Sequence, residues 1–356
     1  MGRHTDMVRV AVIARMDDSG LGHQTRDLVR ALNPDKVIAI DFTFYNGFKQ
    51  HPEWYENYNT KYITGFIQDK DVIEICQDVD IVLTAETFYN NNFIEIAHQR
   101  GVETVSQVNY EFFEPLSNPR LFIPSRILMP SYWHLDDIKN LTRDGKTMYL
   151  PPPTFIDDFD EVRGVNYNRS GKKRFLHVAG KMAANDRAGT LDLLEALPHS
   201  KEDFELVIKV QVGEKLYCND PRVKFDYSFP EDEKELYKDF DAMVQPRRYG
   251  GLNLPMNEAL SAGLPVIMTR VSPNDQVLPG HWLVTANPRG SFMARTSIDL
   301  VSANHAELGA RLDEFAKLDD ETMKQYKTQA HEIAVREYSP ETFKQKWALL
   351  LENLGV

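Results

Sequence analysis

The stretch that says most about the fold is Gln245–Ile267, QPRRYGGLNLPMNEALSAGLPVI, in the second half of the chain. It starts at the end of a short apolar run, Met243–Gln245, and passes through a Gly-Gly pair into a segment of helical spacing opened by Pro255. Another apolar run follows at Pro265–Met268. A strand, a tight loop, a helix and a second strand in this order are typical of a parallel α/β sheet.

The same alternation of short apolar runs and helical segments fills both halves of the chain. The predicted strands are Val8–Ala14, Val37–Phe42, Ile81–Thr84, Thr104–Val108, Ile127–Met129, Phe175–Ala179, Leu206–Val212, Val223–Phe225, Met243–Gln245 and Pro265–Met268. The predicted helices are Gln24–Leu32, Asn91–Arg100, Thr190–Ala196, Asp232–Phe240 and Pro255–Ala262. We therefore predict an α/β protein of two Rossmann-like domains that face each other across a cleft, where the carboxyl ends of the strands place a ligand.

The alternation stops after Leu150, because the three prolines Pro151–Pro153 can continue neither a strand nor a helix. The stretch Asp157–Lys173 is polar and has no clear periodicity, so we interpret it as the domain linker. These observations predict a first domain over residues 1–157 and a second domain over residues 158–338.

The 356 residues include 41 basic and 53 acidic side chains, which gives a net charge of −12. This charge disfavours generic binding to nucleic acid, which needs a concentrated basic surface. Cys76 and Cys218 are too few for a disulfide framework or a zinc site. No apolar run approaches the roughly 18 residues of a membrane helix, and the polar N-terminus shows no signal peptide. We predict a cytoplasmic protein that does not insert into a membrane.

The chemistry of the opening stretch is that of an anion site. Glycines let the backbone approach a ligand, and the amides at a helix N-terminus attract negative charge. Arg247 and Arg248 add positive charge suited to a diphosphate, and Glu258 offers an acceptor for a ribose diol. The same residues also fit a plain strand-to-helix turn, in which Glu258 only offsets the helix dipole.

The stretch resembles the donor-site motif of GT-B glycosyltransferases, especially family 4, usually E-G-F-G-L-P-x-x-E-A-(L/M)-A-x-G-x-P-V. One departure is Gly250, which stands where the family has the first Glu of an E-x7-E pair, a residue usually placed near the transferred sugar. Glu258 keeps the place of the second Glu, which in the family holds the nucleotide ribose. The matching residues are Gly251, Leu254, Pro255, Glu258, Ala259, Leu260, Gly263, Pro265 and Val266.

Other segments of the second half resemble the same family. Phe175–Lys181 and Asp186–Thr190 are similar to its strand with a following basic residue and to its later basic-Gly pair. The resemblance implies a C-terminal segment, residues 339–356, whose helix over Glu341–Leu354 crosses back to the first domain. The implied donor-binding residues of this half are Lys181, Arg187, Arg247, Arg248, Gly251, Leu252, Asn253, Leu254 and Glu258.

The first half offers fewer chemical signals. Gly20 and Gly22 follow the first predicted strand and open a helix, where they could face the diphosphate from the opposite side of the cleft. Glu86, Asn109 and Glu111 follow two later strands, where the family places acceptor and catalytic contacts.

We predict no metal site. Two D-x-D patterns in the chain are interpreted as solvated carboxylates, and enzymes of the resembled fold generally use basic residues and helix N-termini instead of a metal. The two patterns are Asp78–Asp80 and Asp158–Asp160.

The resemblance implies a retaining, metal-independent transfer of a sugar from a nucleotide-diphosphate donor, with UDP or GDP as the nucleotide and no bound cofactor. The acceptor stays open among a saccharide, a protein and a hydroxymethylated DNA base. The motif variant resembles glycosyltransferases encoded by bacteriophages, which would place the protein in the host cytoplasm.

A sugar-nucleotide binder without activity is an alternative, because Gly250 replaces a Glu. A Rossmann oxidoreductase is disfavoured, because Thr25 interrupts the glycine fingerprint.

Overall fold

The structure is a computed structural model that describes residues 8–118, 120–142, 145–181, 185–212, 215–228 and 230–355, except for the side chains of Asn46, Lys181 and Val212. The chain divides into two units. The first unit contains the residues up to Pro153 together with those from Pro340 onward, and the second unit is Thr154–Ser339.

The first unit is built on a parallel sheet. Its strands are β1 (Val10–Arg15), β2 (Lys36–Asp41), β3 (Thr60–Thr64), β4 (Ile81–Ala85), β5 (Glu103–Gln107), β6 (Arg126–Met129) and β7 (Thr147–Tyr149). Its helices before the second unit are α1 (Gly20–Leu32), α2 (Thr43–Asn46), α3 (Asp69–Ile75), α4 (Phe93–Gln99) and α5 (Leu135–Thr142). The strand order is β3-β2-β1-β4-β5-β6-β7.

The burial of each strand in this sheet explains how strongly its sequence indicates a strand. Every residue of β1 and β4 is buried, as expected for strands that helices cover on both faces. The edge strand β3 has the mixed sequence TKYIT and is half exposed, so its apolar pattern was too weak to predict.

The second unit is also built on a parallel sheet. Its strands are β8 (Arg174–Lys181), β9 (Glu205–Val212), β10 (Val223–Asp226), β11 (Ala242–Gln245), β12 (Val266–Thr269) and β13 (Leu283–Val284), followed by a hairpin of β14 (Ala286–Met293) and β15 (Ser297–Ala303). Its helices are α6 (Asp160–Tyr167), α7 (Thr190–Ala196), α8 (Leu254–Ser261), α9 (Asn274–Val277), α10 (His305–Lys317) and α11 (Asp320–Tyr338). The sheet order is β10-β9-β8-β11-β12-β13, and β14 pairs antiparallel with β15.

The last helix is α12 (Pro340–Leu354), the element predicted over Glu341–Leu354, and it packs within the first unit. Single 3-10 turns complete the described elements. They are Pro52–Tyr55, Tyr110–Phe112, Glu114–Leu116, Ile156–Phe159, Leu197–His199, Glu233–Tyr237 and Gly280–Trp282.

Two expectations about local structure were wrong, and one hairpin was missed. The stretch interpreted as a linker contains α6, which is ordered because Asn166 donates from Nδ2 to the backbone carbonyls of Tyr237 and Ala262, at 3.1 Å each. The helix predicted over Asp232–Phe240 is only a 3-10 turn. The hairpin β14–β15 was not predicted, although Ile298 and Leu300 alternate with polar residues in its second strand.

Both sheets reverse their strand order, between β1 and β4 in the first unit and between β8 and β11 in the second. In open α/β sheets, ligands bind beyond the carboxyl ends of the strands at such a reversal. The stretch Gln245–Ile267 runs from β11 through α8 into β12, so its loop lies at this position of the second unit.

Candidate functional site

The loop between β11 and α8 is held by its backbone. The carbonyl of Arg247 accepts a hydrogen bond from the Thr269 hydroxyl at 2.7 Å, and the amide of Arg248 donates to the Arg187 carbonyl at 3.0 Å. A Cβ on Gly189 would collide with the Pro246 carbonyl oxygen. The loop before α7 therefore lies directly against the loop before α8, which brings Arg187 next to the opening stretch.

The N-terminus of α8 carries buried hydrogen-bond donors. Asn253 is the N-cap residue, but its side chain makes no capping bond. Asn253 and Asn257 are 7% and 2% exposed, and within the described residues the Nδ2 atom of each lacks a hydrogen-bond partner. Since buried polar groups are nearly always hydrogen-bonded, these two amides are candidates for contact with a ligand.

Arg247 occupies the space next to Gly250. A Cβ on Gly250 would lie 2.7 Å from Nη2 of Arg247, and the φ angle of Gly250 is +106°. Both the backbone and the buried guanidinium therefore require a glycine at this position. A side chain at position 250 would therefore meet the Arg247 guanidinium.

Arg248 has different surroundings from those predicted. Its guanidinium, 4% exposed, donates to Asp192 from Nη2 at 2.7 Å and from Nε at 3.2 Å, and Nη1 lies 3.5 Å from Asp186. Burial acts to raise the pKa of Asp192, but the hydrogen bonds from Arg248 and Ser302 outweigh it and hold that pKa below its ordinary value. The charge expected to bind a diphosphate is thus neutralised within the unit, because a buried guanidinium needs a paired carboxylate.

Arg187 and the hairpin flank the same loop. The Arg187 guanidinium lies 4.8 Å from the centre of the Tyr249 ring, and that ring lies 4.9 Å from the ring of Phe292 in β14. The Val301 amide in β15 donates to the Arg248 carbonyl at 3.1 Å. Lys181 ends β8, and its side chain lies outside the described part of the structure.

Glu258 lies in the second turn of α8, because the helix already begins at Leu254. Gly251, Leu252 and Asn253 come immediately before Leu254. Their backbones therefore lie at the N-terminus of α8, the end of the helix that attracts anions. The hydroxyl of Tyr237 donates a hydrogen bond to Oε2 of Glu258. This partner was missed from the sequence, where Tyr237 lies 21 residues away from Glu258.

The two glycines of the first unit differ in role. Gly20 begins α1 and faces open space, whereas a Cβ on Gly22 would collide with the carbonyl oxygen of Asp17. The Gly22 amide donates to the N-cap hydroxyl of Ser19 at 3.0 Å. Gly22 is therefore required for packing, and the Ser19 hydroxyl caps the helix by accepting from its amide. The buried pair of Asp17 with Arg15, 2.5 Å apart, was not predicted from the sequence.

The structure brings two of the three predicted catalytic residues together. Nδ2 of Asn109 donates to Oε1 of Glu86 at 2.5 Å, because the residues follow the neighbouring strands β4 and β5. Glu86 has a φ angle of +62°, a conformation that is uncommon for a residue other than glycine. Glu111 is buried in the 3-10 turn that follows Asn109.

Among the described residues, the structure contains one group with the spacing of metal ligands. It consists of Asp192, Glu195 and His305. Asp192 already accepts hydrogen bonds from Arg248, so a second cation there would be repelled. Asp78, of the first D-x-D pattern, is solvent-exposed.

Residues 173–300, which lie in the second unit, match the protein family described as Glycosyl transferases group 1. No curated protein sequence matches the chain. Solved structures with a similar fold include HepE of Anabaena in complex with UDP, with a TM-score of 0.68, 13% identity and coverage of 98% of this chain and 100% of that one.

A glycosyltransferase from Rickettsia africae has a TM-score of 0.69 and 13% identity, and the similarity covers 98% of this chain and 99% of that one. A sucrose-phosphate synthase from Thermosynechococcus elongatus has a TM-score of 0.62 and 12% identity over 98% and 99% of the two chains.

The two Rossmann-like domains of this chain form the GT-B fold, which confirms the predicted fold class. The matching domain over residues 173–300 identifies the protein as a glycosyltransferase enzyme. No helix within the described ranges combines the length and the apolar character needed to span a bilayer.

Proposed function

We propose that this glycosyltransferase uses a nucleotide-diphosphate sugar and that its second unit binds the donor. The observation that carries the proposal is the pair of buried amides, Asn253 and Asn257, whose Nδ2 atoms have no partner in the described structure. They lie at the start of α8, where the helix dipole also favours an anion. HepE of Anabaena, which has a similar fold, was crystallised with UDP and with UDP-glucose.

We assign the diphosphate to Lys181, Arg187 and Arg247 and to the amides of Gly251–Leu254. Arg187 contacts Tyr249, and Arg247 lies next to Gly250, both in the loop between β11 and α8. The helix α8 begins at Leu254. Glu258 accepts hydrogen bonds from the ribose hydroxyls. Arg248 is assigned to the scaffold, because Asp192 neutralises it.

The chemistry of this donor site is electrostatic. Cations and helix amides stabilise the negative charge that develops on the leaving diphosphate, so neither a side-chain nucleophile nor a metal is required. In the retaining reaction, the acceptor attacks the face of the sugar from which the diphosphate leaves. Glu86 and Asn109 are assigned to the acceptor, since they meet at the carboxyl ends of β4 and β5.

Calorimetry with UDP, GDP, ADP, TDP and NAD tests the donor assignment. We expect binding of one nucleoside diphosphate, and the protein should slowly release that diphosphate from its sugar derivative, with water accepting the sugar in the absence of the natural acceptor. Glu258→Ala should weaken nucleotide binding about tenfold, the effect of losing a hydrogen bond to a charged group. Glu332→Ala, on the exposed side of α11, is the matched control.

Three results would contradict the proposal. Binding of NAD alone would indicate a different class of Rossmann protein. Equal affinity of Glu258→Ala and the parent would remove Glu258 from the ribose. A bound nucleotide sugar that is never cleaved or transferred would instead favour a binding protein without activity.

A further inference from the structure

We propose that Tyr237 is a positioning residue of the donor site, whose hydroxyl orients the Glu258 carboxylate toward the ribose of the nucleotide. This inference rests on the proposed function, because it requires Glu258 to bind the ribose. It adds a residue that lies outside the motif of α8 and precedes β11 in the chain.

The contact itself is direct. The Tyr237 side chain is 0% exposed, and its hydroxyl donates to Oε2 of Glu258, which is only half-buried. A carboxylate accepts through two oxygens in one plane. A donor fixed on Oε2 therefore determines the direction in which Oε1 is presented.

The two partners are held in register by a buried amide. Nδ2 of Asn166 donates at 3.1 Å to the carbonyl of Tyr237 and at 3.1 Å to the carbonyl of Ala262, the residue that follows α8. Asn166 is in turn fixed by Lys327, whose Nζ donates to its carbonyl at 2.6 Å. The backbone that carries Tyr237 is thus tied to the helix that carries Glu258 before any ligand binds.

The hydroxyl has no role in filling space, since a phenylalanine ring would fill the same core position. A buried phenol needs a partner, and here the partner is the carboxylate. Burial and the neighbouring Glu258 carboxylate raise the pKa of Tyr237 well above its ordinary value. Tyr237 therefore stays protonated and remains a donor throughout the neutral range.

Tyr237→Phe tests the proposal through recognition of the ribose. The probes are UDP, GDP and their 2′-deoxy forms, and the readout is the ratio of Kd values between each deoxy form and its parent. We expect wild type to bind the deoxy nucleotide more weakly than its parent. In Tyr237→Phe this ratio of Kd values should fall about fivefold, as expected when an orienting hydrogen bond is removed. The control Tyr167→Phe removes a hydroxyl that donates to the Lys327 carbonyl at 2.9 Å, and should keep the ratio.

The outcomes separate the two proposals. If Glu258→Gln loses the ratio but Tyr237→Phe keeps it, Glu258 binds ribose and the positioning role of Tyr237 is wrong. If wild type binds no nucleoside diphosphate of the calorimetry panel, or Glu258→Gln keeps the ratio, the ribose assignment fails and the role of Tyr237 fails with it.

A second measurement does not depend on the stability of Tyr237→Phe. The ¹⁹F resonance of 3-fluorotyrosine at position 237 should shift when UDP or GDP binds and shift less with the deoxy form. Equal shifts for both forms, or none, would overturn the proposal.

Discussion

At the scale of single residues, Gly250 lies next to the Arg247 side chain in the loop between β11 and α8. We predict that Gly250→Ala costs about 1–3 kcal/mol of stability, because its φ of +106° is strained for any side chain. The same variant should weaken nucleotide binding. The added Cβ would lie only 2.7 Å from Nη2 of Arg247, so the guanidinium must move away. Denaturant unfolding and calorimetry measure the two effects.

The matched control is Gly171→Ala. Gly171 has a φ of +96° and no atom within 4 Å of an added Cβ, so this variant imposes strain without displacing a side chain. It should lose stability and keep its nucleotide affinity. If Gly250→Ala also kept full affinity, Arg247 would not act on the donor.

Gly20 and Gly22 give a second comparison at this scale. Gly22→Ala should destabilise the first unit by about 1–3 kcal/mol, because its Cβ meets the Asp17 carbonyl and the packing must shift. Gly20→Ala faces open space and should be neutral in thermal unfolding. Equal stability of the two variants would show that Gly22 is not required for packing.

At the scale of elements, Asp192 of α7 joins the loop between β11 and α8 to the hairpin of β14 and β15. It accepts from Arg248, from the Ser302 hydroxyl at 2.7 Å and from the Ala303 amide at 3.2 Å. We predict that Asp192→Asn costs about 3–5 kcal/mol at pH 7, because it removes the carboxylate to which the buried Arg248 guanidinium donates and leaves only Asp186, 3.5 Å away, as its counter-charge.

The pH dependence follows from the lowered pKa of Asp192. A carboxylate with a depressed pKa in the folded state contributes stability above its unfolded pKa of about 3.9, and loses it as the pH falls further. The deficit of Asp192→Asn should therefore shrink between pH 7 and pH 3 in denaturant titrations. Glu235→Gln, in an exposed pair with Lys238, should match wild type at both pH values. A constant Asp192→Asn deficit would contradict the assignment.

At the scale of the whole molecule, the first unit is discontinuous and is closed by α12. Trp347 is buried, and Nη2 of Arg126 donates to the Asn353 carbonyl at 2.8 Å. We predict that Trp347→Ala costs about 3–5 kcal/mol, as for other large buried aromatic residues. Hydrogen exchange should show the loss of protection in β6 and α1.

The second unit serves as the internal control of this experiment. Its central strands β8 and β11 should keep their protection, because their core belongs to Thr154–Ser339. Loss of protection in both units to the same extent would show that the chain unfolds as one cooperative body.

The sequence by itself determined the GT-B architecture and the position of the strand, loop and helix of Gln245–Ile267. Both depend on local patterns: buried parallel strands need continuous apolar runs, and a ligand loop needs glycines before a helix. The helix predicted over Thr190–Ala196 has the observed bounds, and it too follows a glycine, Gly189.

Tertiary structure decided the features that depend on partners distant in the chain. Arg247 and Arg248 are indistinguishable as neighbours in sequence, yet Asp192, 56 residues away from Arg248, neutralises only the latter. The stretch interpreted as a linker is a helix because Asn166 binds carbonyls 71 and 96 residues away. Such pairings compensate the cost of burying charge and amide groups, and only the folded chain brings the partners together.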